Sequence, residues 1–182
     1  MLEGSNRVIL LDRDGVLNVD RPDSVKRVEE LEIEAGAVDG CSTLRAAGFT
    51  LVVITNQSAV GRGWMDRAAL DSVNTELNRA LGSAIGHWYV CDHDPDDGCR
   101  CRKPDTLLLE QAHADLGFTP ADTWFVGDAR RDLEAARQFG VRPALVRTGK
   151  GAMTARENPE VPSWSDLAEF ARFVTGPATT GG

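Results

Sequence analysis

The chain has 182 residues, 42% hydrophobic and 26% charged, with a formal net charge of −8, a composition that suits one soluble globular domain. The acidic balance argues against a general nucleic-acid-binding protein, and no apolar run approaches the roughly 20 residues of a membrane span. Because the first residues also lack the pattern of a signal peptide, we expect one cytoplasmic domain over residues 1–174, most simply a monomer without nucleic-acid or membrane partners, and a disordered tail over 175–182.

The first predicted element is a strand over residues 8–11, four apolar residues that a sheet would bury on both faces. It runs directly into Asp12 and Asp14. Carboxylates at the end of a buried strand are costly without a partner, which indicates a cation between them, and an Asp beside a metal can act as a nucleophile. On these residues alone, a strand followed by an ordinary Asp-Gly turn explains the pattern equally well.

The rest of the chain alternates strand and helix patterns after a polar loop over residues 18–34. The predicted strands cover residues 50–54, 88–90, 123–126 and 144–146, and the predicted helices cover residues 38–47, 66–81, 105–116, 132–139 and 165–174. Residues 149–162 are expected to form an irregular loop. This alternation predicts an α/β fold, with a parallel sheet covered by helices on both faces.

Polar side chains recur where the predicted strands end. Five of them follow a strand directly: Asp12, Asp14, Thr55, Asn56 and Asp128. Parallel sheets bind ligands beyond the carboxyl ends of their strands, so these side chains should meet at one edge. Three carboxylates without a histidine suit Mg²⁺, and Arg102 and Lys103 supply positive groups for a phosphate. The sequence therefore favours a phosphoryl-transfer site over a simple turn.

A second group of candidate ligands lies in a short loop. Its members are Cys91, His93, Cys99 and Cys101, a complete four-ligand set for a closed structural Zn²⁺ site. A loop with incidental cysteines and a disulfide are the alternatives, but cytosolic disulfides are rare. Bound zinc would fix the backbone that presents Arg102 and Lys103 to a phosphate.

Four stretches resemble the four motifs of the haloacid dehalogenase (HAD) superfamily over residues 7–150. They are D-R-D-G-V-L-N at 12–18, Thr55, Lys103-Pro104, and Gly127-Asp128 with Asp132 four residues later. The resemblance implies a three-layer, Rossmann-like fold. Asp132 is either a carboxylate that supports the metal site or an acid in a first helical turn, where the helix dipole favours it.

The resemblance also implies roles for the motif residues. Asp12 would attack phosphorus to give an aspartyl-phosphate, and Asp14 would protonate the leaving oxygen and then activate water. Thr55 and Lys103 would hold the phosphoryl oxygens. Asp12, the backbone carbonyl of Asp14, and Asp128 would bind Mg²⁺.

The loop pattern C-x-H-x5-C-x-C-R-K-P narrows the resemblance to the heptose-bisphosphate phosphatases and the related histidinol-phosphate phosphatases, which lack a large cap domain. It implies substrate contacts from Asn56, Arg62, Arg102 and Lys150, although Arg62 is nearly as well explained as a solvated loop arginine. In the heptose enzymes a Pro-Gly pair usually follows Lys-Pro, whereas this chain has Asp105-Thr106. This difference affects the choice of substrate more than the type of reaction.

The expected function is therefore a Mg²⁺-dependent phosphatase for a small phosphorylated metabolite, with D-glycero-D-manno-heptose 1,7-bisphosphate as the first choice. Two alternatives remain at this point, a histidinol-phosphate phosphatase and a non-catalytic binding module stabilised by zinc.

Overall fold

A computed structural model describes residues 6–176, and six parallel strands form one sheet within that range. The strands are β1 (Val8–Leu11), β2 (Thr50–Asn56), β3 (Ile85–Cys91), β4 (Trp124–Gly127), β5 (Arg142–Val146) and β6 (Ser163–Trp164). Their order is β3-β2-β1-β4-β5-β6. Strand β1 therefore lies at the centre, hydrogen-bonded to β2 on one side and to β4 on the other.

Helices cover both faces of this sheet. They are α1 (Ala37–Ala46), α2 (Ser58–Gly61), α3 (Arg67–Ala80), α4 (Leu107–Leu116), α5 (Arg130–Phe139), α6 (Gly151–Glu157) and α7 (Leu167–Thr175). Successive β1 side chains point to opposite faces: Ile9 packs in one core with Leu44 of α1, and Leu10 packs in the other with Leu109 of α4. The predicted three-layer α/β fold is confirmed, and the burial of both faces explains why β1 is apolar throughout.

Several helix ends follow the local signals in the sequence. Asp66 caps α3 by accepting a hydrogen bond from the backbone N–H of Ala69 at 2.7 Å. Gly140 ends α5 in the left-handed conformation, with φ of 90°, which a residue with a side chain adopts only with strain.

The expectation of an irregular loop over residues 149–162 was wrong, because α6 lies there. Its buried positions are Gly151 and Thr154, so no apolar periodicity marks the helix. Helix α1 begins at Ala37, one residue before the predicted start; Ala37 is buried, whereas Val38 is 45% exposed.

Four other boundaries described here differ from the sequence prediction. Strand β2 continues through Thr55 and Asn56, and β3 is longer than the three residues expected, since an edge strand tolerates polar residues such as His87. Helix α5 begins at Arg130, two residues before the expected start. The tail predicted over 175–182 begins inside α7, and residues 177–182 lie outside the described range.

The connections between these elements leave the carboxyl edge of the sheet accessible. Across residues 6–176, the strands all belong to one sheet, and the segment between β1 and α1 holds a single short 3₁₀ turn at Val28–Glu30. The described chain therefore carries no large cap domain, as expected. None of its helices is long and apolar enough to cross a membrane.

Candidate active site

Asp12 follows β1 directly, and its side chain is almost fully buried at the centre of the carboxyl edge. Its Oδ1 accepts a hydrogen bond from the Arg13 backbone at 2.7 Å and lies 2.9 Å from Lys103 Nζ. Its Oδ2 is buried and has no hydrogen-bond partner among the described residues. Burial and the like charge of Asp132 raise the pKa of Asp12, although Lys103 opposes this effect.

Lys103 is held in place by three oxygens. Its Nζ lies 2.7 Å from the carbonyl oxygen of Ile54, 2.9 Å from Asp12 Oδ1 and 2.7 Å from Asp132 Oδ1. Its backbone is fixed by Asn56, whose side-chain amide donates to the Lys103 carbonyl and accepts from the Lys103 N–H, both at 3.0 Å. Both ends of the Asn56 amide are used to position Lys103, and Asn56 also lines the charged cavity described below, so its expected contact with substrate stays a prediction.

Asp132 is a buried carboxylate in the first turn of α5, and its Oδ1 contacts this lysine. It accepts a hydrogen bond from the Ala129 backbone N–H at 3.0 Å through Oδ2. Burial alone would raise the pKa of Asp132, but Lys103 and Arg131 hold it below its usual value. Asp132 thus satisfies a backbone N–H at the start of the helix, as one of the two alternatives expected, and it also contacts Lys103.

Asp128 follows β4 and completes the row of carboxylates. Its Oδ2 accepts a hydrogen bond from the Lys150 backbone N–H at 2.8 Å. A Cβ at Gly15 would lie 2.2 Å from this oxygen, and one at Gly149 would lie 2.3 Å from it. Both glycines have positive φ, so close approach and backbone conformation both require glycine there. Burial and the neighbouring Asp12 carboxylate raise the pKa of Asp128 to about 7.

Asp14 lies in a cradle of three side-chain donors. Its Oδ1 accepts from Arg13 Nη2 and Asn18 Nδ2, both at 2.9 Å, and its Oδ2 accepts from Gln57 Nε2 at 2.7 Å. Gln57 Nε2 also lies 2.9 Å from Thr55 Oγ1, which links the acid to the end of β2. Burial works against ionisation, but the Arg13 guanidinium and these hydrogen bonds hold the pKa of Asp14 below its usual value.

The carboxylate row fits a hard divalent cation. Oxygens of Asp12, Asp128 and Asp132 lie within 4.8 Å of one another. Asp128 Oδ1, like Asp12 Oδ2, is buried and accepts no hydrogen bond from residues 6–176. Two anionic oxygens without donors are costly unless a cation takes their lone pairs, and oxygen ligands of this kind are those that Mg²⁺ prefers.

A cavity of about 180 Å³ opens beside this row and is lined mainly by charged side chains. Its cationic members are Arg21, Arg62, Arg102, Arg131 and Lys150, and its acidic members are Asp14 and Asp20. Nitrogens of three of these arginines are buried without a hydrogen-bond partner in the described chain: Arg21 Nε, Arg102 Nη1 and Arg131 Nε. Buried guanidinium donors without partners suit an anion in this cavity.

Two of the expected substrate-side cations are already in contact with acids. Arg62 stacks over the Trp64 ring at 4.9 Å, and its Nε lies 3.6 Å from Asp94. Lys150 Nζ forms an ion pair with Asp20 at 2.8 Å across the mouth of the cavity. Both side chains are partly exposed and line the cavity, so each can turn to an anionic ligand.

The Cys/His loop after β3 gathers its four candidate ligands. Cys91 Sγ lies 3.6 Å from Cys99 Sγ and 3.8 Å from His93 Nδ1, and His93 Nδ1 lies 3.1 Å from Cys101 Sγ. Four ligands about 2.3 Å from a tetrahedral zinc are separated by about 3.8 Å. The cluster therefore fits zinc, and all four cysteines of the chain are free thiols rather than disulfide partners.

The Cys/His loop packs directly on the segment that carries Arg62. A Cβ added at Gly61 would lie 2.1 Å from the backbone nitrogen of Asp94 and 2.4 Å from the His93 carbonyl carbon. Arg67 at the start of α3 forms an ion pair with Asp92 at 2.9 Å. The two segments thus meet backbone to backbone on one wall of the cavity.

The structure brings the predicted residues together at one edge of the sheet, but three others were missed. Arg13 lies within the D-R-D-G-V-L-N motif and Gln57 follows Asn56, and each contacts Asp14. Arg131 Nη2 lies 3.6 Å from Asp12 Oδ2. No signal in the sequence indicated Arg131, because the predicted helix began at Asp132 and the structure shows that α5 begins at Arg130.

Comparison with known proteins identifies relatives of the whole chain. A HAD-hydrolase-like family model matches residues 100–169. The D-glycero-beta-D-manno-heptose-1,7-bisphosphate 7-phosphatase of Pseudomonas putida is 42% identical over 174 residues, which are 91% of this chain and 98% of that protein. The phosphatase of the same name from Escherichia coli K12 is 34% identical over 91% of this chain and 92% of its own.

Solved structures give the same result. The D,D-heptose 1,7-bisphosphate phosphatase of B. bronchiseptica, crystallised with magnesium and phosphate, superposes with a TM-score of 0.88 at 36% identity over 92% of this chain and 97% of that one. The corresponding phosphatase of Burkholderia thailandensis gives a TM-score of 0.71 at 32% identity over 94% and 100% of the two chains.

Proposed function

The chain belongs to the D-glycero-beta-D-manno-heptose-1,7-bisphosphate 7-phosphatase family of HAD-like hydrolases, and we propose that it removes one phosphate from a heptose 1,7-bisphosphate. It is a phosphoric monoester hydrolase. One observation carries the choice of substrate: the carboxylates lie beside a cavity lined by five cationic side chains. A bisphosphate offers one phosphate to the carboxylates and a second to the cavity.

Asp12 is the proposed nucleophile. It attacks phosphorus, the bond from phosphorus to the sugar oxygen breaks, and the phosphoryl group becomes an aspartyl-phosphate on Asp12. Lys103, 2.9 Å from Asp12, and the Thr55 hydroxyl stabilise the phosphoryl oxygens, and Asn56 and Asp132 fix Lys103 for that task.

Asp14 is the proposed acid and base. In its protonated form it gives a proton to the departing sugar oxygen and becomes the carboxylate that its lowered pKa favours. That carboxylate then takes a proton from the water that hydrolyses the aspartyl-phosphate. Of the two Asp14 oxygens, Oδ1 accepts two hydrogen bonds and Oδ2 accepts one, which leaves Oδ2 with a free lone pair for proton transfer.

Mg²⁺ would be held by Asp12, the backbone carbonyl of Asp14, and Asp128, and would neutralise charge on the transferred phosphoryl group. The oxygens of Asp12 and Asp128 without hydrogen-bond partners support this assignment, as does the magnesium in the B. bronchiseptica structure. Zinc would be held by Cys91, His93, Cys99 and Cys101 and would fix the loop ahead of Lys103.

Arg102 and Arg131 are the proposed ligands of the phosphates, because both have buried guanidinium nitrogens with no partner in the described chain. Arg62 and Lys150 leave their acidic partners, Asp94 and Asp20, and bind a phosphate of the substrate instead. Histidinol phosphate carries a cationic amine, and a wall of five cations disfavours such a ligand.

Steady-state kinetics test this proposal. We expect kcat/KM for D-glycero-beta-D-manno-heptose 1,7-bisphosphate to exceed that for fructose 1,6-bisphosphate and for histidinol phosphate by more than about tenfold, or about 1.4 kcal/mol in transition-state stabilisation. The Asp12→Asn variant, purified in parallel, controls for contaminating phosphatases. A preference for histidinol phosphate would reverse the assignment, and absence of Mg²⁺-dependent hydrolysis with every substrate would indicate a binding module.

A further inference from the structure

Arg13 is a charged side chain with no exposure to solvent, next to the proposed acid. Its Nη2 donates to Asp14 Oδ1 at 2.9 Å and its Nη1 donates to Asn74 Oδ1 at 3.0 Å. Asn74 lies in the middle of α3 and is 8% exposed. The guanidinium thus links a helix on the face of the sheet to the carboxylate beyond β1.

Fold stability does not explain this pair. Burying a guanidinium costs desolvation free energy that one carboxylate repays only in part, and Arg13 Nε still has no hydrogen-bond partner within residues 6–176. Two apolar side chains of similar volume would fill the same space at lower cost. A guanidinium hydrogen-bonded to both an amide and a carboxylate does fix the orientation of that carboxylate, because its planar group directs its N–H donors along set directions.

We propose that Arg13 and Asn74 are positioning residues that hold Asp14 in the orientation needed for proton transfer to the leaving group. Asn74 fixes the rotation of the guanidinium, and the guanidinium fixes the rotation of the carboxylate through Oδ1. Asp14 Oδ2, which carries the single bond from Gln57, is then the oxygen directed at the departing sugar oxygen. This inference rests on the proposed function, in which Asp14 is the acid.

The nature of the leaving group provides the test, since a sugar alkoxide needs a proton as it departs and 2,4-dinitrophenolate does not. We define the protonation ratio as kcat/KM for 2,4-dinitrophenyl phosphate divided by kcat/KM for heptose 1,7-bisphosphate. For each substrate, kcat/KM reports the steps up to formation of the aspartyl-phosphate. The ratio is independent of the fraction of folded enzyme, so a loss of stability does not change it.

We expect Asn74→Ala and Arg13→Lys to raise the protonation ratio about tenfold, because each loosens the acid without removing it. Asn74→Asp keeps an acceptor for Arg13 and should leave the ratio within about threefold of wild type. Asn78→Ala is the matched control: Asn78 lies on the same helix, and its amide bonds the Ile85 backbone at 2.9 and 3.3 Å. It should lower stability and leave the ratio unchanged.

An unchanged ratio in Asn74→Ala, or an equal change in Asn78→Ala, would overturn the positioning role. The Asp14→Asn variant separates this result from failure of the proposed function. If Asp14→Asn raises the ratio but Asn74→Ala does not, the acid is correctly assigned and the positioning inference is wrong. If Asp14→Asn lowers both activities equally, the assignment of the acid itself fails, and the inference fails with it.

Discussion

Nζ of Lys103 lies 2.9 Å from Oδ1 of Asp12, and both side chains are almost completely buried. The proposed nucleophile and the proposed phosphate-binding cation are therefore in contact without a ligand. Asp132 contacts the same ammonium at 2.7 Å, so it helps to set the position of Lys103.

Asp132→Asn should weaken catalysis without preventing metal binding. The amide keeps a hydrogen bond to the Ala129 N–H but loses the ion pair that holds Lys103. We expect kcat/KM to fall about 10- to 100-fold, because removing one partner leaves a buried charge poorly compensated. Steady-state kinetics together with a Mg²⁺ titration would measure this. Asp105→Asn, an exposed acid in the same loop as Lys103, is the control, and equal activities of the two variants would contradict the prediction.

Asp128 should make the stability of the metal-free protein depend on pH. Its pKa is raised from 3.8 to about 7 in the folded state, so the folded protein binds more protons than the unfolded chain between these values. Titration of Asp128 therefore lowers the free energy of unfolding as the pH rises from about 4 to about 7. Above about pH 7 it causes no further change.

Denaturant unfolding of wild type and Asp128→Asn in chelator, at several pH values, isolates that contribution. The variant should gain stability relative to wild type as pH rises, and Mg²⁺ should stabilise wild type more at pH 8 than at pH 5.5, since the cation displaces the proton. A stability difference that does not vary with pH would show that Asp128 titrates normally.

The Cys/His loop should hold about one zinc ion per chain. Cys99→Ser should lose the metal, lower the melting temperature and reduce turnover, because the loop leads directly into Arg102 and Lys103. Metal analysis, thermal unfolding and kinetics measure the three effects. Cys41→Ala is the matched control, a buried cysteine in α1 outside the loop that should leave zinc content unchanged. Reduced protein purified without chelator that contains no zinc would refute the prediction.

Arg131→Ala should reduce kcat/KM for a sugar bisphosphate by about 10- to 100-fold, the effect of losing a charge-assisted contact of about 1.5–3 kcal/mol. Its neighbour provides the control: Arg130 forms an exposed pair with Glu134 at 2.7 Å, and Arg130→Ala should change activity by less than about twofold. Comparable losses in both variants would point to a general electrostatic effect rather than a contact from Arg131.

The sequence was sufficient for the sheet and for the carboxylate row, because both rest on local patterns. Buried parallel strands are apolar throughout, and the residues that follow them must lie at one edge, which brings Asp12, Asp14 and Asp128 together. Helix α6 was missed because its buried positions are a glycine and a threonine, which leave no apolar period.

The hydrogen-bond partners of the site residues could not be predicted from the sequence, because they depend on which side chains meet in the folded chain. Arg13 reaches Asn74, 61 positions away along the chain, and nothing in either local pattern indicates the contact. Asn56 and Lys103 are 47 positions apart and exchange two hydrogen bonds. Arg131 was missed for a related reason, because the predicted helix began one residue after it and its contact with Asp12 Oδ2 joins two different elements.

Gly61 sets a limit on how this site can be re-engineered. The backbone of His93 and Asp94 occupies the space that a side chain at position 61 would fill. A zinc loop grafted from a relative would therefore have to follow the same backbone path past Gly61. Loop grafts intended to change substrate preference should replace residues 57–64 and residues 91–103 at the same time.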